Sequence, residues 1–133
     1  MLRLAAPLCV LLAALAVTGC GRDTGVVEST AERFYDAVRE NDGSTACELL
    51  SDDTVETLEK EEKSPCEEAV LELELEGARS ESAEIFSKAA EVQLRSGDRV
   101  FLGEGREGWK IDAAGCQPTG DPQEEPYDCE VEA

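Results

Sequence analysis

The sequence contains no histidine, only six aromatic side chains, and 12 Lys and Arg against 31 Asp and Glu. Each shortage excludes something. Without imidazole there are no Ser-His or Cys-His nucleophile pairs, no imidazole-zinc sites and no ordinary general base near neutral pH. A formal charge of -19 argues against nucleic acid as a partner, because a phosphate backbone attracts Lys and Arg. The chain's 133 residues suffice for one domain of ordinary size and leave no room for a second core. Long apolar runs are also lacking, except at the amino terminus.

There Arg3 supplies a short positive region, followed by a run of Ala, Leu and Val from Leu4 to Val17, interrupted by Pro7 and Cys9. About fourteen residues match the apolar part of a signal peptide and fall short of the ~30 Å a mature span must cross. The segment Leu15-Ala16-Val17-Thr18-Gly19-Cys20 resembles a bacterial lipobox. It has an aliphatic residue at minus three, small residues at minus two and minus one, and then the thiol that receives diacylglycerol. The alternative is an ordinary secretory peptide that leaves Cys20 as a spare thiol. The expectation is a lipoprotein signal over residues 1–19, a lipidated amino terminus and short tether over 20–23, and one domain over 24–133. The protein would then stand on the extracytoplasmic face of the bacterial cell membrane. Its anchor would have to overcome repulsion between an acidic body and anionic head groups, at ~0.8 kcal/mol per buried CH₂.

With Cys9 removed and Cys20 alkylated, Cys47, Cys66, Cys116 and Cys129 remain. An even number in an oxidising setting predicts two disulfides. Of three possible connectivities the chain favours Cys47–Cys66 and Cys116–Cys129, since each pair closes a short local loop. Each loop contributes ~3 kcal/mol in the chain-entropy model. Metal binding has little support, because no C-x-x-C knuckle is present.

Val27, Ala31, Phe34 and Val38 share one helical face, and Asn41-Asp42-Gly43 predicts its end, with the glycine at positive φ. Ser44 or Thr45 would cap a second helix, and Ser51-Asp52-Asp53 would open a third with Val55 and Leu58 inward. Ser64-Pro65-Cys66-Glu67 predicts a capping box for a helix from Pro65 to about Leu73. The strict alternation of Leu71-Glu72-Leu73-Glu74-Leu75-Glu76 conflicts with that helix. After Gly77 the period becomes two. Ala83 and Ile85, then Ala90, Val92 and Leu94, then Val100 to Leu102, then Trp109, Ile111 and Ala113 predict four antiparallel strands. The fold class expected is α+β, with amino-terminal helices packed on that sheet. Gln117 to Pro126 predicts a loop closed by Cys129.

Phe34-Tyr35-Asp36-Ala37-Val38, Ala46-Cys47-Glu48-Leu49-Leu50-Ser51, Pro65-Cys66-Glu67-Glu68-Ala69, Ala90-Glu91-Val92 and Trp109-Lys110-Ile111 together resemble the nuclear transport factor 2-like superfamily. They look most like the small secreted bacterial lipoproteins that carry that fold. The resemblance implies a curved, cone-like sheet around helices, with an interior able to hold a small ligand. It implies no single function.

Enzymes of that superfamily use a carboxylate lining the cone, and Asp112 with Tyr35 are the candidates here. Asp112 alternates away from Trp109 and Ile111, as a solvent-facing residue would, and Tyr35 beside Phe34 suits packing. Trp109 is explained by the core alone. Asp121, Glu124, Glu125, Asp128, Glu130 and Glu132 lack calcium-loop spacing and read as a solvated acidic tail. The expectation is therefore a non-catalytic, lipid-anchored protein that binds a small ligand or an envelope partner, with no cofactor and no metal. The alternative is a cone-pocket isomerase or hydratase using Asp112 and Tyr35.

Overall fold

The computed structural model describes residues 23–77, 79–121, 123 and 126–133, so the leader, Cys20, Gly21 and Arg22, and Glu124 and Glu125 of the acidic tail, lie outside the described residues. Four helices precede an antiparallel sheet: α1 (Gly25–Arg39), α2 (Gly43–Leu49), α3 (Asp52–Glu62) and α4 (Cys66–Ala69). The strands are β1 (Ser80–Phe86), β2 (Ala89–Leu94), β3 (Arg99–Gly105), β4 (Gly108–Pro118), β5 (Tyr127–Asp128) and β6 (Val131–Glu132). The first four form a meander, and both short carboxy-terminal strands pair with β4. The α+β class holds, with six strands among the described residues where about four were expected. The added pair comes from the tail, whose Val131 is buried beside Ala114. Both expected disulfides, Cys47–Cys66 and Cys116–Cys129, are present.

The core lies between the helices and one face of the sheet. Val27, Ala31 and Phe34 of α1 meet Val92 and Leu94 of β2, Val100 and Leu102 of β3, and Ile111 of β4, all buried. The predicted helical stripe and three of the four predicted strand patterns meet there. Each fully buried side chain of this kind contributes about 1.5–3 kcal/mol to burial.

The helix ends depart from expectation in instructive ways. Asn41, not Gly43, takes the left-handed conformation, at φ 58°. Gly43 instead opens α2 and is required by proximity, since a Cβ there would lie 2.1 Å from the Glu67 carbonyl oxygen. Asp42 caps α2 by accepting from the Thr45 amide, at 3.1 Å, and from its hydroxyl, at 2.7 Å. Ser51 caps α3 as predicted. Pro65 occupies the N-cap of α4, displacing Ser64, and Glu59 accepts from the Cys66 amide at 2.8 Å. The helix expected to reach Leu73 ends at Ala69, followed by a 3₁₀ turn over Val70–Glu72. The alternating segment is neither strand nor helix. It begins in the 3₁₀ turn and turns extended at Leu73, laying Leu71, Leu73 and Leu75 partly on the core and exposing Glu72, Glu74 and Glu76.

The fourth strand is the most irregular. Leu102 pairs with Ile111 and Phe101 with Ala113, so Asp112 is an extra residue opposite their junction. A second irregularity follows between Phe101 and Arg99, the partner of Cys116. Ala113 therefore shares the face of Phe101, not that of Ile111 as simple alternation predicted. Bulges of this kind re-aim side chains along a strand.

Candidate functional site

Helix α1 presents Tyr35 to the sheet one position after Phe34, whose ring it meets edge-on with centroids 5.7 Å apart. The tight turn between β2 and β3 presents Asp98, 5 % exposed, below Gly97 at φ 98°. The turn is closed by the Leu94 amide donating to the Asp98 carbonyl at 2.8 Å. The Tyr35 hydroxyl donates to Asp98 Oδ2 at 3.3 Å, and Gln117 Nε2 donates to Asp98 Oδ1. The same hydroxyl accepts from the Gly115 amide at 2.9 Å. Gly115 sits in the second irregularity of β4 at φ 66°, where a Cβ would press on Glu130 and Leu75 at 2.8 Å.

Burial pushes the Asp98 carboxyl above its ordinary range against the lowering effect of Tyr35 and Gln117, and Glu76 adds to the rise. Burial, reinforced by the Asp98 charge, raises the Tyr35 phenol as well. Beside this network an open cavity of about 570 Å³ is lined by Leu73, Glu74, Leu75 and Glu76 together with Asp98 and Gln117. Chemically the network is engaged. Tyr35 directs its proton to Asp98 and accepts from the Gly115 amide, so the phenol can serve a reacting molecule only by breaking these bonds.

Asp112 stands elsewhere. It lines a second open cavity of about 580 Å³ between the β3–β4 hairpin and the start of α3, with Ser51, Asp53, Arg106 and Lys110. Its carboxylate lies against Gly103, where a Cβ would be 2.7 Å from Oδ2. Its carbonyl accepts from the Thr54 hydroxyl at 3.0 Å and the Ala133 amide at 2.9 Å. Lys110 Nζ donates to the Glu48 carbonyl at the end of α2. The structure thus gives Tyr35 a different acid, Asp98, and does not bring Asp112 to its hydroxyl.

Sequence reasoning missed Asp98 and Gln117. A signal for Asp98 existed, because Asp98, Val100 and Leu102 alternate and the last two face the core. The Ser96-Gly97-Asp98 turn signature hid it. Among the described residues no three acids or cysteines gather as a metal site, and no helix is long and apolar enough to cross a membrane. Comparison of the chain with protein-family models, curated proteins and solved structures finds no match.

Proposed function

We propose that this chain is an extracytoplasmic lipoprotein, anchored through Cys20, whose single domain binds a partner and does not catalyse. In this reading the domain is a member of the nuclear transport factor 2-like superfamily, with a cone-like sheet. The anchor is argued from the lipobox-like Val17-Thr18-Gly19-Cys20, and two closed disulfides fit an oxidising compartment. The observation that carries the non-catalytic half is the engagement of Tyr35 and Asp98 with each other, Gly115 and Gln117. A cone-pocket isomerase or hydratase built on Asp112 and Tyr35 would need both groups at one cavity, which this geometry disfavours.

Mass spectrometry of protein taken from a bacterial membrane fraction tests the anchor. The expected mature amino terminus is Cys20 bearing diacylglycerol through a thioether, and Cys20→Ser should leave precursor or released protein. A mature chain beginning elsewhere, with an unmodified Cys20 thiol, would overturn the reading.

A further inference from the structure

Strand β1 stands at one end of the sheet and has a single strand neighbour among the described residues, β2. The Leu94 amide donates to the Asp98 carbonyl, and the Glu104 amide to the Lys88 carbonyl, both at 2.8 Å. Ala90, Val92 and Leu94 therefore direct their backbone groups toward β3, and Ala89, Glu91 and Gln93 direct theirs toward β1. The β1 residues opposite the latter are Phe86, Glu84 and Ser82. By the same alternation, Ala83 and Ile85 present their amides and carbonyls to the open edge. Such a row is a template for another strand.

The side chains along this edge say what kind of strand fits. Glu84 lies directly opposite Glu91, a like-charge pair that costs free energy. Arg99 neutralises Glu91 from the far side, on β3, and Glu84 has no cationic partner among the described residues. Glu81, on the same outer face, accepts from the Gln93 side-chain amide at 3.4 Å. At the end of the strand Phe86 is 58 % exposed. The opposite end is closed, because Glu32 accepts from the Ser80 amide at 2.9 Å and pairs with Arg79 at 3.2 Å. An open backbone edge, an uncompensated carboxylate at its centre and an exposed ring at its end all lie within one short strand.

From these observations we propose that the β1 edge is a docking site for an extended, basic segment of another protein. The segment pairs with the Ala83 and Ile85 backbone and sets a cationic side chain beside Glu84 and an apolar one beside Phe86. A second copy of this chain is a poor occupant, because antiparallel β1 edges pairing Ala83 with Ile85 would set Glu84 against its own duplicate. The proposal deepens the binding role given above by naming the class of partner, and it stands or falls separately from lipidation.

The test is backbone amide exchange of the full chain with a capped peptide of about six residues alternating lysine and valine, the length of an ordinary strand. At saturating peptide, exchange at Ala83 and Ile85 should slow by about tenfold or more, with the β3-facing amides of Ala90 and Val92 unchanged. A glutamate–valine peptide should not slow it. Neither should the lysine–valine peptide N-methylated at alternate residues, which keeps its charge and loses its strand donors. Ala83→Pro removes an outward-facing donor at a sheet edge, where proline is tolerated, and should abolish the effect. If that variant fails to fold, the N-methylated peptide decides alone. Unchanged exchange, equal slowing by the acidic or methylated peptide, or concentration-dependent protection of Ala83 and Ile85 without peptide would each overturn the proposal. Peptide failure would leave thioether mass at Cys20 untouched, so the two readings fail distinguishably.

Discussion

Tyr35 holds three parts of the fold at one oxygen: α1 through its own backbone, the β2–β3 turn through Asp98, and the irregular β4 through Gly115. Tyr35→Phe leaves the buried Gly115 amide without its acceptor and Asp98 Oδ2 without its donor. The expected loss is about 1–3 kcal/mol, measured from the urea midpoint. Asp98 carries a pH signature of its own. Its folded-state carboxyl titrates above the ordinary value of 3.8. Through that window the folded chain holds a proton the unfolded chain has released, so this residue's contribution falls as pH rises. Glu32 acts in the opposite sense. The Ser80 amide lowers its carboxyl, and its contribution is lost as pH falls through the lowered value. Asp98→Asn should remove the downward slope and leave the acid-side loss, in urea titrations from about pH 3 to about pH 7. An unchanged slope would place the buried acid's charge elsewhere. None of this was legible in the residues singled out from the sequence. Tyr35 was found, but paired with Asp112, because alternation along β4 says nothing about which strand a helix side chain reaches.

Among the elements, those with a clean period were legible and those shaped by close approach were not. The α1 stripe and the β2 and β3 alternations are long enough for their buried faces to dominate local preference. Strand β4 breaks period two because Ala113, Ala114, Gly115 and Cys116 are all small and all buried. A run of small residues gives no contrast between faces from which to read a bulge. The α4 helix gives way to a 3₁₀ turn and then to extended backbone at Leu73, with Leu71, Leu73 and Leu75 packed against the core, so tertiary packing overrides Leu and Glu helix propensity. The disulfides were legible because each closes a short loop, with sequence separations of 19 and 13. Their loop entropies are similar, ~3 kcal/mol each, and their consequences differ by what they tie. Cys47–Cys66 joins α2 to α4, so replacing both cysteines by Ala should lower the global denaturation midpoint. Cys116–Cys129 joins β4 to the tail, and its removal should chiefly speed amide exchange at Val131 and Glu132 while shifting the midpoint less. Equal midpoint shifts with a protected tail would contradict that assignment.

At the scale of the whole molecule, acids exceed bases by 19, and removal of Arg3 with the leader would widen the excess by one. Such a body is repelled by an anionic bilayer within a Debye length of ~8–10 Å. Under the proposed anchoring, only Gly21, Arg22, Asp23 and Thr24 separate the acylated cysteine from α1 at Gly25. The surface charge can contribute nothing favourable at that distance, so acyl burial alone must hold the protein. Salt discriminates between these forces, since it screens charge and leaves hydrocarbon burial intact. The deciding measurement is membrane fractionation of the native chain and of Cys20→Ser, each at low salt and at about 1 M salt. Lipid anchoring predicts that the native chain stays with the membrane under both conditions and that Cys20→Ser, where its leader has been removed, is found in the soluble fraction under both. Native protein released by salt, or leader-free Cys20→Ser retained on the membrane, would contradict it.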